Sequence, residues 1–141
     1  MTGEPEPACF VVHGLEHLRA ALTAGTHSGR PIVALSAVGA SGYAGAGWFA
    51  GLIEQGRVEF PEVGLTAIFD CADRAGDVLV AFETGLKRIV FTGHRSALDR
   101  LRQIGATYGA AIVAERPPAF DLLHARDPVY AARAFCDKAV K

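Results

Sequence analysis

Cysteine is scarce in this 141-residue chain: only Cys9, Cys71 and Cys136, an odd number at wide spacing. That excludes a disulfide framework and offers no Cys-x-x-Cys metal clip. Excess charge of either sign is also missing, with a net charge of −1 and scattered lysines and arginines. A nucleic-acid binder would show a basic stripe, and a protein drawn to an anionic membrane surface a basic cluster; neither is expected as a partner here. Long apolar runs are absent as well. The longest are strand-length, far below the roughly 20 residues of a spanning helix. Met1–Pro7 carries Glu4, Glu6 and two prolines in place of the basic and apolar regions of a signal peptide, so a cytoplasmic location and a flexible start are expected. Low-complexity sequence and a dividing linker are lacking too.

What remains is a chain with 50% apolar and 21% charged residues. Its length suits one domain with a real core and is short for two. Five apolar runs, Ala8–Val12, Ile32–Ala37, Leu65–Phe69, Arg88–Phe91 and Ala111–Ala114, are rich in Val, Ile or Phe. They do not alternate with polar residues, which is the mark of strands buried on both faces of a parallel sheet. Between them lie helical patterns at Leu15–Ala24, Trp48–Gln55, Asp77–Thr84 and Ser96–Ile104. Leu15, Leu18 and Leu22, for instance, share one face. A last helix starts at Asp127-Pro128, a favourable cap and first position, and places Val129, Ala132, Cys136 and Val140 on one face. A short helical piece is expected at Phe120–Ala125. Gly25, Gly56, Gly85 and Gly105 read as helix ends.

Two segments look alike. Gly25, Gly29, Ile32, Val33 and Ala34 recur at a constant offset as Gly105, Gly109, Ile112, Val113 and Ala114. Shared helix-to-strand geometry and gene duplication both produce such a match. The whole pattern predicts a single α/β domain over residues 1–141, a three-layer sandwich with a five-stranded parallel sheet. The expected strand order is flavodoxin-like, 2-1-3-4-5. A Rossmann-like order is the next choice, followed by a half-barrel completed by oligomerisation.

Open parallel sheets bind ligands beyond the carboxyl ends of their strands. That edge receives His13-Gly14, Ser36 and the glycine loop, Asp70-Cys71 with Asp73-Arg74, Thr92-Gly93-His94-Arg95, and Glu115-Arg116. Lys87 begins a strand and lies at the other edge, away from chemistry. The glycine loop, Val38 to Gly47, joins a strand to a helix, the arrangement that brings backbone N–H groups to a phosphate. Its spacing, Gly39-x-x-Gly42-x-x-Gly45, is neither Gly-x-Gly-x-x-Gly nor the P-loop pattern. An alternative use of these small residues is close packing against a sheet or a second subunit, with Trp48 and Phe49 buried behind them.

The segment Gly39-Ala-Ser41-Gly42-Tyr43-Ala-Gly45 resembles the first turn of the dinucleotide-binding domain in N-acetyl-gamma-glutamyl-phosphate reductases and related semialdehyde dehydrogenases. The resemblance implies NADP binding, with the glycines approaching the pyrophosphate and Gly39, Ser41, Gly42 and Gly45 facing the phosphates. In that family the loop follows the first strand, whereas here a strand and helix precede it, and the family's catalytic cysteine lies in a further domain.

Asp70, Cys71 and Asp73 carry two readings. In one, Asp70 is a general base or cation holder and Cys71 a nucleophile, served by His13 or His94. In the other, Asp70 bonds loop amides, Asp73 caps a helix and Cys71 fills space. The five histidines show no metalloprotease spacing, and no metal is expected. The functional expectation is a phosphate-bearing small molecule or nucleotide bound at the strand carboxyl edge, with His13, Ser41, Asp70, Cys71 and His94 lining the site. The competing expectation is a non-catalytic, oligomerising scaffold.

Overall fold

Runs rich in branched and aromatic residues become short strands, and the amphipathic segments between them become helices. A computed structural model describes residues 5–139, with side chains to Lys138. Part of the expected flexible start and the placement of Val140 lie outside the described residues. The elements are β1 (Ala8–Val11), α1 (Leu15–Ser28), β2 (Ile32–Leu35), α2 (Ala46–Glu59), β3 (Leu65–Asp70), α3 (Ala75–Thr84), β4 (Arg88–Val90), α4 (Arg95–Thr107), β5 (Ala111–Val113), β6 (Phe120–Asp121) and α5 (Pro128–Ala139). All registered strand pairs are parallel. This is a parallel α/β fold of the Rossmann and flavodoxin class. Among the described residues, no helix is long and apolar enough to cross a membrane.

The sheet has six strands, not five, in the order β5-β4-β3-β2-β1-β6. That order differs from 2-1-3-4-5: the strands after β1 succeed one another on one side of it, and β6 takes the other side. The extra strand occupies the start of the segment expected to be helical. It has two residues, too few to display any periodicity, and long-range packing decides its place. Phe10 pairs with Phe120 across β1 and β6, Phe120 stacks on Phe135 with ring centroids 5.1 Å apart, and Phe135 meets Phe10 edge-on at 5.2 Å.

The described residues gather into two compact units. One contains the chain up to Leu35, Leu52–Thr66 and the chain from Pro118; the other contains Ser36–Gly51 and Ala67–Pro117. In the first unit, α1 packs along α5. Phe10 and Val11, neighbours that point to opposite faces of β1, are both buried, as are Ala34 and Leu35 on β2. Burial of both parities is what the continuous apolar runs required. Leu18 and Leu22 of α1 are wholly buried, each contributing about 1.5–3 kcal/mol of apolar burial. Arg30 is buried at the other end of β2 with its guanidinium spent on carbonyls: Nε on Glu6, Nη1 on Cys136 near the end of α5, and Nη2 on Pro7. In the second unit, Ile89 and Val90 of β4 are both buried, α3 packs beside α4, and Phe49 stacks on Phe69 at 5.2 Å.

The helices are longer than their apolar patterns. Gly25 and Gly105 are not helix ends: each lies inside its helix, and the αL terminator comes four residues later, at Gly29 (φ 76°) and Gly109 (φ 69°). The two segments do share one geometry. A Cβ at Gly25 would lie 3.1 Å from the Arg30 carbonyl, and one at Gly105 would lie 3.1 Å from the Ala110 carbonyl. Glycine at these positions lets each helix approach the strand it feeds. Gly56 is likewise internal, against Leu18 and Leu22, whereas Gly85 (φ 100°) does end α3 as expected.

Candidate functional site

In the second unit the carboxyl end of β3 delivers Asp70 into a shell of donors. Its Oδ1 accepts the N–H of Gly39 at 3.0 Å and that of Ala72 at 2.8 Å. Its Oδ2 accepts Nη1 of Arg116 at 2.7 Å, and the same nitrogen reaches the Ser36 carbonyl at 3.0 Å. Ser36 Oγ, following β2, accepts the Asp70 N–H at 2.8 Å. Asp70 is 1% exposed, so each of these bonds counts: burial of a carboxylate is tolerated only when its lone pairs and its charge are met. The carboxylate therefore anchors the glycine loop, which is the structural alternative weighed from the sequence. Ala72, next along, sits at φ 51°, a conformation costing about 1–2 kcal/mol for a residue with a Cβ. It is held there by Asp70 on its N–H and by the Thr92 N–H on its carbonyl.

The loop itself closes on its own backbone. The N–H groups of Ala40, Gly42, Tyr43 and Ala44 donate to Ala37, Gly39, Ala40 and Ala40, forming a 3-10 turn over Ala40–Gly42. With Gly39 bound to Asp70, the amides of Gly39 and Gly42 are already spent. Gly39 has φ 65°, which favours glycine. Gly42 is required for space: a Cβ there would lie 2.5 Å from Nη1 and 2.7 Å from Cζ of Arg74. The Arg74 guanidinium thus lies over the loop. Ser41 Oγ donates to Asp77 Oδ2 at 2.8 Å in the first turn of α3. Gly45 precedes α2, and no atom lies within 4 Å of where its Cβ would be.

Cys71 is wholly buried. Burial pushes its thiol up to about 12; the hydrogen bond with Ser41 opposes the shift, and the charges of Asp77 and Asp70 add to it. A thiol in that state is not a thiolate at neutral pH. Asp73 is exposed, and the N-cap of α3 is Arg74, without a side-chain cap. His94 stands exposed at the N-cap of α4; Asp70, Ser36 and Arg116, not His94, supply the bonds that hold the loop. Trp48 is 44% exposed although Phe49 is buried, so only the second of the two aromatics lies behind the loop.

His13 belongs to the first unit. There its Nε2 lies 2.8 Å from Oδ1 of Asp121 on β6, and its backbone N–H donates to Nδ1 of His17. Among the described residues, no group of three or more His, Cys, Asp or Glu side chains is placed to hold a metal ion. Gly39, Ser41, Gly42, Asp70 and Cys71 are thus joined in one network. Arg74 and Arg116 complete it, although neither was among the expected site residues. Both follow strand ends, and that position was the available signal. Asp121 was missed because β6 was not recognised, and His17 because His13, four residues before it, lies at the strand end and not on the helix.

No protein-family model matches the chain, and no curated protein matches it in sequence.

Proposed function

We propose that the protein binds a phosphate-bearing small molecule or nucleotide at the strand carboxyl edge of the second unit, over Gly39–Gly45. The observation that carries this reading is the guanidinium lying over Gly42. Arg74 is exposed, and no carboxylate pairs with it among the described residues, whereas Arg116 is matched to Asp70. An arginine held against a glycine turn presents a planar donor fork suited to phosphate. The first turn of α2, opening directly after Gly45, adds backbone N–H groups with no helical partner. The Gly39 amide serves Asp70 and that of Gly42 the turn, so in this reading the phosphate meets Arg74 and the start of α2. That is a narrower cradle than the glycine spacing implied.

Thermal unfolding over a set of nucleotides, dinucleotides and sugar phosphates tests it. A ligand at a hundred times its Kd adds about 2.7 kcal/mol of stability, so a matching compound at millimolar concentration is expected to raise Tm by several degrees. Arg74→Ala is expected to remove the shift. Gly42→Ala is expected to displace the flexible guanidinium and weaken the shift while leaving the fold intact. No shift with any compound, or an undiminished one in Arg74→Ala, overturns the reading.

A second reading has its own observation. Val38, Tyr43 and Trp48 are 66%, 73% and 44% exposed on and beside the same loop. Clustered apolar exposure marks docking surfaces, and it favours a scaffold that covers this segment with a partner.

A further inference from the structure

The carboxyl ends of β1 and β6 carry a second arrangement, independent of the glycine loop. β1 lies between β2, the strand that follows it, and β6, the last strand of the chain. The chain leaves β1 toward one neighbour and returns on the other. Such a reversal opens a crevice at the carboxyl ends of an open parallel sheet. His13 follows β1 and Asp121 ends β6, and their side chains meet at 2.8 Å. A carboxylate only accepts, so Nε2 of His13 holds the ring proton and Nδ1 the basic lone pair. The leucine N–H at 123 also donates to Asp121 Oδ1, at 2.9 Å, and fixes the carboxylate.

His17, in the first turn of α1, is oriented by the same residue. The backbone N–H of His13 donates to its Nδ1 at 3.1 Å, so that nitrogen is an acceptor and Nε2 carries the proton. The two rings meet edge-on with centroids 5.5 Å apart. Burial, and then the neighbouring His13, hold the pKa of His17 below its ordinary value, so the ring is neutral at neutral pH. The other titratable groups facing this pair are Glu16 in the first turn of α1, Asp121 itself, and His124 in the turn after β6. Between His13 and the helix stands Gly14, with open space where a side chain would be. A base with a fixed tautomer, a neutral donor whose ring touches it and an unobstructed Gly14 beside them form the minimum for moving a proton on a small molecule laid against both rings.

We propose that His13, Asp121 and His17 form a proton-transfer site for an uncharged carbonyl compound bearing hydrogen on the carbon next to the carbonyl. His13 Nδ1 takes that proton. The C–H electron pair forms the carbon–carbon double bond, the carbonyl π pair moves onto oxygen, and His17 Nε2–H donates to the enolate oxygen. Asp121 offsets the charge His13 gains and acts as a positioning residue. Return of a proton from His13 to carbon closes the cycle, with nothing oxidised or reduced. Glu16 and Asp121 place acidic groups beside a neutral His17, which selects against anionic substrates.

The test is hydrogen–deuterium exchange of dihydroxyacetone in D2O, followed by proton NMR. Wild-type protein is expected to exchange the methylene hydrogens faster than buffer, and His13→Gln at the buffer rate. Asp121→Asn keeps an acceptor for both Leu123 and His13, so Tm is expected to hold while exchange falls roughly tenfold and its pH profile shifts. His17→Phe is expected to slow exchange and to lower Tm modestly, because the His13 N–H loses its acceptor. Nitrogen NMR of the rings is expected to find protons on Nε2 of both His13 and His17. Exchange at the buffer rate in the wild type, exchange surviving in His13→Gln, or a proton on Nδ1 of His17 overturns the proposal. None of these readouts depends on Arg74 or the glycine loop.

Discussion

Asp70 joins strand end, loop and distant arginine through one carboxylate, and its position at the end of an apolar run made it visible in the sequence. Its role was not. The partners are Gly39, Ala72 and Arg116, and the choice between general base and loop anchor rests on donors that come together only on folding. Cys71, the adjacent residue, separates the two readings by measurement. Its ordinary thiol value of 9.0 is raised to about 12 by burial. The folded state therefore keeps a proton that the unfolded chain loses. The stability due to the buried neutral thiol is full below about pH 9 and is lost as pH rises toward 12, at up to about 1.4 kcal/mol per pH unit. Urea unfolding of wild type and Cys71→Ala across this range is expected to show a steeper alkaline loss in the wild type. Parallel slopes would mean that the thiol ionises freely in the folded protein, restoring the nucleophile reading.

At the scale of elements, apolar periodicity located the five α-helices and the end of α3 at Thr84, but not where α1, α2 and α4 stop. Gly25, Gly56 and Gly105 read as terminators because glycine is the commonest one. Their task is close approach, and that depends on what packs against the helix. The distinction predicts opposite signs for the same substitution. Gly51 lies exposed in α2 with nothing within 4 Å of a Cβ, so Gly51→Ala is expected to stabilise by about 0.5–1 kcal/mol through helix propensity. A Cβ at Gly25 would lie 2.8 Å from Ile32 Cγ1, 2.9 Å from Val63 Cγ1 and 3.1 Å from the Arg30 carbonyl. Gly25→Ala is expected to destabilise by about 1–3 kcal/mol despite the same propensity gain. Denaturant midpoints of the two variants check this. Equal shifts in one direction would mean that α1 has room to move away from β2. β6 marks the other limit: two residues hold no pattern, and they are placed by long-range contacts, the Phe10, Phe120 and Phe135 rings and the His13–Asp121 bond.

For the whole molecule, parallel α/β architecture was legible because burial on both strand faces leaves an imprint in the inner strands, as in β1 and β2. Strand order was not, since the edge that a late strand joins is decided by contacts across the length of the chain. Function divides in the same way, between a ligand cradle and a docking surface built on one glycine segment. Association separates them. With a net charge of −1, copies repel one another little, so an apolar surface able to dimerise would do so at low concentration. A stable interface buries about 800 Å² per partner, and one built here would cover Val38, Tyr43 and Trp48. The cradle reading expects a monomer at low micromolar concentration by sedimentation, with red-shifted emission from Trp48, the only tryptophan, that changes when a nucleotide binds. The docking reading expects a dimer with blue-shifted emission, dissociated by Trp48→Glu. Trp48 is 44% exposed in the single chain and lies beside Phe49, so the Tm of Trp48→Glu is read beside its sedimentation, and dissociation with Tm retained reports on the interface rather than on the fold.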